Sequence, residues 1–240
     1  MNQTGLTSIF SASCRQRDAQ SHHTIEQSMK ITPSLADLLL FMLIIAISLC
    51  ARWPALPDDD ALVARLTEYI EQGQALWLAF VALFILYRSH RARLQGEARL
   101  FWLWAALWWL VLLGRSISWG RVYFPQGPRP LFHSIAFLLI TALLLPLLTP
   151  QLRAAIIARY RLHPLPCWRI AAVVLAFTCA DAVEHQRALA RYLVTHPGHY
   201  RDLIEELYEC PFLLGLFLIS QEMMTREWRL LANPNVEARK

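Results

Sequence analysis

Six stretches of this chain, at about 34–52, 72–88, 99–118, 132–149, 168–187 and 207–224, are dominated by apolar side chains and bounded by charges or prolines. A bilayer's hydrocarbon core, about 30 Å thick, is crossed by roughly 20 residues of helix, and each run approaches that length. The expected fold is therefore all-α: a polytopic transmembrane bundle of six spanning helices over residues 31–226, with polar tails at 1–30 and 227–240. Composition agrees, with 56% hydrophobic and 17% charged residues, whereas soluble domains carry about 25% charge. Six crossings of a 240-residue chain leave no room for a large soluble domain.

Loop charges give the bundle a direction. Arg15, Arg17 and Lys30 precede the first run. Arg88, Arg91, Arg93 and Arg99 separate the second from the third, and Arg153, Arg159, Arg161 and Arg169 separate the fourth from the fifth. Lys and Arg resist translocation, so these regions are expected in the cytoplasm. The segment between the first two runs instead holds Asp58, Asp59, Asp60, Glu68 and Glu71 against Arg52 and Arg65. The last such loop holds Asp202, Glu205 and Glu206 beside Arg187, Arg191 and Arg201. An even number of crossings returns Arg226, Arg229, Arg239 and Lys240 to the cytoplasm, as expected of a multi-pass protein of a bacterial inner membrane with both ends inside.

The net charge of +5 does not point to nucleic acid, because the basic residues sit in short loops and form no continuous stripe. Residues 1–30 are polar and aperiodic, as in a disordered tail; Met29, just ahead of the first run, is a second candidate start. Five cysteines show no CxxC spacing, and neither GxGxxG nor GxxxxGK occurs, so no cofactor is indicated by motif. Two segments read as interfacial amphipathic helices, 60–72 with Leu62, Leu66 and Tyr69 or Ile70, and 152–162 with Ile156, Ile157 and Tyr160. Ser34 and Asp37 have the spacing of a helix cap, preferred here to a buried functional acid. Trp102, Trp104 and Trp119 read as interfacial belt residues, and His196 and His199 as part of an exposed turn.

Polar residues converge at the expected outer ends of the third, fifth and sixth runs. At 1.5 Å per residue, Arg115 lies about 24 Å along the third helix, Asp181 about 20 Å and Glu184 about 24 Å along the fifth. Glu205, Glu206 and Glu209 enter near the same level, and His133 opens the fourth run. Asp181, Glu184 and His185 share a face at i, i+3 and i+4, and Arg115 and Ser118 share another. Ionisable groups at this depth are costly in lipid and are expected to face one another.

Three readings fit that cluster. It can be an ion-paired plug in which Arg115 neutralises Asp181 or Glu184, as in a structural subunit of a larger complex. It can be an outward-facing pocket that binds or transports a small or lipid-derived ligand, the preferred reading. It can also be a metal-dependent hydrolase with His133, Asp181, His185 and Glu209 as ligands. Ser116 or Ser118, Asp181 and His185 resemble in part the intramembrane zinc hydrolases of the alkaline ceramidase kind. The chain departs from that pattern in having no HxxxH and no histidine in its sixth run.

Overall fold

The computed structural model describes residues 32–52, 59–162, 166–194 and 200–232. The tail 1–30, the turn holding His196 and His199, and residues 233–240 lie outside them. The described residues form α1 (Leu35–Cys50), α2 (Asp60–Arg91), α3 (Gly96–Ser116), α4 (Arg129–Leu144), α5 (Pro150–Leu162), α6 (Cys167–Glu184), the single turn α7 (Ala190–Leu193) and α8 (Arg201–Ala232). Among them there is no strand. Asp60–Arg91, Gly96–Ser116 and Arg129–Leu148 are long and apolar enough to cross a membrane, and Leu35–Cys50 is a shorter apolar helix.

Local chemistry sets most boundaries. The Ser34 hydroxyl accepts from the Asp37 N–H, and the Asp37 carboxylate accepts from the Ser34 N–H, so a reciprocal capping box starts α1. Asp59 accepts from the amides of Ala61 and Leu62 and starts α2. From there α2 continues unbroken for 32 residues, about 48 Å. The expected interfacial helix 60–72 and spanning helix 72–88 are thus one element, because neither Gly73 nor any other residue between them breaks the helix. At the other end, the helix containing the sixth run extends to Ala232, into the segment expected as tail.

α8 is the centre of the bundle. It packs against α6, α2 and α1, while α3 bridges α2 to α4 and α5. One apolar core joins Leu40 and Ile44 of α1, Ala172 and Ala176 of α6, and Ile204 and Tyr208 of α8. The other joins Val81 and Ile85 of α2, Trp102 and Ala106 of α3, Ala155 of α5, and Leu213 and Met224 of α8. Gly215 lets α8 approach α6 closely: a Cβ there would lie 2.4 Å from Val173 Cγ2. The outside is apolar too. Leu39 and Met42 of α1, Leu76 and Leu83 of α2, and Phe137 and Leu138 of α4 are each more than half exposed, an apolar surface compatible with a membrane protein.

Contacts fix the relative directions of the long helices. Asp37 and Arg169 meet at the starts of α1 and α6, beside Glu222 near the end of α8. Arg88, near the end of α2, stacks on Trp228. Trp102, near the start of α3, donates to Glu227, and the neighbouring Trp104 donates to Leu143 O at the end of α4. In chain order α1, α2, α3, α4, α6 and α8 therefore alternate in direction. The arginine-rich connections gather at one end of the bundle.

Candidate functional site

The end of the bundle opposite those arginines holds the acids expected to face outward. Asp181 is paired there with Arg187, at 3.1 Å, and not with Arg115. The chain permits this because Gln186, at φ 50°, turns Arg187 back over the last turn of α6. His185 is the C-cap of α6, exposed, with Nδ1 3.5 Å from both Asp181 and Glu184 carboxylates. Arg115 is exposed at the end of α3, within electrostatic reach of Glu209. Ser118 does not share its face. α3 stops at Ser116, and Ser118 and Trp119 take left-handed conformations (φ 48° and 60°), folding the Trp119 ring over Gly114. Trp119, half-buried, thus packs on the last turn of α3.

Glu205, Glu206 and Glu209 do form a group with Glu184 of α6 and Glu71 of α2. Glu205 and Glu206 precede the apolar run 207–224, and burial, reinforced by these carboxylates and by Asp202 beside Glu205, pushes both up to about 7. Gln74, buried in α2, donates to the Glu206 backbone carbonyl at 2.9 Å, tying α2 to α8 just before Pro211. His133 lies apart, on the exposed outer face of α4 with Ser134 and Phe137. Among the described residues no three His, Cys, Asp or Glu side chains are placed to hold a metal ion, so His133, Asp181, His185 and Glu209 form no ligand set.

The most deeply buried ions lie at the arginine-rich end. Arg169 donates from Nε to Asp37 (2.8 Å), from Nη1 to Glu222 (2.7 Å) and Leu218 O (3.2 Å), and from Nη2 to Ser34 Oγ (3.3 Å). Glu222 also pairs with Arg226. Nearby, Arg159 holds Glu227 at 2.5 Å, Trp102 donates to the same carboxylate at 2.6 Å, and the guanidinium lies over the Phe101 ring at 4.1 Å. Asp37 is thus a cap and a buried acid at once. Arg159 and Arg169, read in the sequence as loop charges, are both 7% exposed. α5 buries Leu152, Ala155 and Arg159 against the bundle and leaves Ile157 and Tyr160 exposed.

Beside this network a cavity of about 460 Å³ opens among α3, α5, α6 and α8. Phe101, Trp104, Ile156, Ile170, Leu216 and Ile219 give it apolar walls, and Arg159, Glu222 and Arg226 give it an ionised rim. That volume is in the range of small-molecule sites, about 300–1,000 Å³. From Leu216 to Arg226 it follows α8 for about 15 Å. Apolar length with charge at one end matches an amphiphile. Comparison with protein-family models, curated proteins and solved structures finds no match to this chain.

Proposed function

We propose that this chain is an integral membrane protein that crosses the bilayer six times, keeps both termini in the cytoplasm, and binds a lipid-derived ligand in the cavity among α3, α5, α6 and α8. The alternating directions of six long helices support the crossings, and the arginine-rich loops at one end support the orientation. The cavity carries the ligand reading. Its apolar walls offer water few hydrogen-bond partners, so within a bilayer hydrocarbon is the natural filling, and the rim pins a polar head at the interface. This places the ligand at the end opposite the one expected from the sequence. The crowded carboxylates of Glu71, Glu184, Glu205, Glu206 and Glu209 support a second reading, proton exchange or binding of a cationic solute at the outer surface.

Two experiments test this. Protein purified in mild detergent should yield about one hydrocarbon-chain molecule per chain on extraction and mass spectrometry, and Ile219→Trp, which fills the cavity, should lose it. No enrichment over empty micelles would refute the ligand reading. For topology, a single cysteine at Gln126 in an otherwise cysteine-free chain should react with an impermeant maleimide on intact cells, and one at Arg93 only after permeabilisation. The reverse pattern would overturn the orientation.

A further inference from the structure

On the neighbouring face of α8 lies a polar depression of about 440 Å³ whose lining includes Arg169, Gln221, Glu222, Thr225, Arg226 and Arg229. Glu222 and Arg226 line both spaces, so the cavity rim and the depression adjoin along this ion pair. Their chemistries differ. The cavity is apolar, whereas the depression combines three guanidinium groups and one carboxylate with the Thr225 hydroxyl and the Gln221 amide.

We infer that the ligand is a phosphate-bearing anionic lipid, its hydrocarbon chain in the cavity and its phosphate in the depression over Arg226 and Arg229. This rests on the cavity reading proposed above and adds the head group to it. Arg169 is committed to Asp37, Glu222, Leu218 O and Ser34, so it fixes Glu222 rather than gripping a ligand. Arg229 is exposed on the last turns of α8. With Asp37 counted beside Arg169, three guanidinium groups stand against two carboxylates, and the single positive excess selects an anionic head over a zwitterionic one. Gln221 and Thr225 offer the hydrogen-bond donors that phosphate oxygens accept. A chainless phosphate would leave the apolar cavity unfilled, so chain and phosphate are both needed.

Native mass spectrometry of the full chain, exposed to equimolar phosphatidylglycerol and phosphatidylcholine with identical chains, tests this. The anionic lipid should be retained in preference, by about fivefold for each arginine engaged. Arg229→Gln should lower that preference about fivefold. Ile219→Trp should lose both lipids, and millimolar glycerol 3-phosphate should displace neither. Equal retention by the unaltered chain, or an unchanged preference in Arg229→Gln, overturns the head-group assignment. If Ile219→Trp still loses both lipids in that case, the cavity reading stands. An Ile219→Trp chain of unaltered thermal stability that retains both lipids overturns the cavity reading and this inference together. Displacement by glycerol 3-phosphate overturns the requirement for a chain.

Discussion

Arg169→Leu should be among the most destabilising single changes in this protein. The side chain carries four hydrogen bonds and joins α1, α6 and α8 at one point. Its removal leaves the Asp37 carboxylate, whose side chain is 7% exposed, without a counter-ion and takes from Glu222 one of its two arginines. Breaking a buried pair by deleting one partner costs about 3–5 kcal/mol, most of it the penalty of the orphaned charge. For a chain of this length 1 kcal/mol corresponds to roughly 2–4 °C in Tm, so a loss on the order of 10 °C is expected. Arg169→Lys keeps the charge but loses the fork, and should cost much less. Asp37→Asn combined with Arg169→Leu should recover part of the loss, because the orphaned charge disappears with its partner. Thermal unfolding in detergent, followed through the reactivity of the buried Cys179 thiol in a chain whose other cysteines are replaced by serine, measures all three. An Arg169→Leu chain that melts with the unaltered protein would show that the network contributes nothing net. A lysine variant as damaged as the leucine variant would show that the forked geometry of the guanidinium, rather than its charge, holds the three helices together.

Gly215→Ala should also destabilise, by about 1–3 kcal/mol, because its Cβ would enter the space of Val173 Cγ2. Adding Val173→Ala should restore the close approach of α6 and α8, and the same melts decide it; failure of the second change to rescue the first would refute the steric account. Glu205 and Glu206 titrate at about 7 in the folded chain against 4.5 as the ordinary value. Below about 4.5 both folded and unfolded forms are protonated, and the contribution of these groups is fully present. As pH rises towards and through 7 the folded form must ionise against burial and neighbouring carboxylates, so stability falls. Tm measured across that interval should decline, and Glu206→Gln should flatten the decline; a Tm that rises with pH, or a slope unchanged by the substitution, would show that these carboxylates do not carry it.

The helical class and the existence of each apolar element are legible because hydrophobic length is written locally. Pairing between helices is not. Asp37, Arg169 and Glu222 each stand near the basic end of an apolar run, at one depth and of opposite sign, and that depth match is the signal that could have found the network. Local rules give them other roles: Asp37 has the spacing of a cap, and Arg169 has the position of a topology charge. Only the adjacency of α1, α6 and α8 shows that each also serves a second purpose. The pairing in the outer cluster is hidden for a related reason. Arg115 and Asp181 share a level, yet Arg187 reaches Asp181 first through a left-handed turn at Gln186, a conformation that a glutamine does not advertise. Nor does Ser118 announce that α3 has already ended. The division of α2 into an interfacial and a spanning piece follows its change in polarity, but a change in polarity does not stop a helix.

The central position of α8 carries a consequence for assembly. It follows the other long helices in the chain, yet side chains of α8 belong to both apolar cores. Without it, α1 with α6 and α2 with α3 are two halves with no common centre. Asp37 and Arg169 then have each other but not Glu222, while Arg159 and Trp102 lack Glu227. A chain lacking α8 would thus leave both cores open and Arg159 without its carboxylate. Docking of α8 is the step that closes the structure.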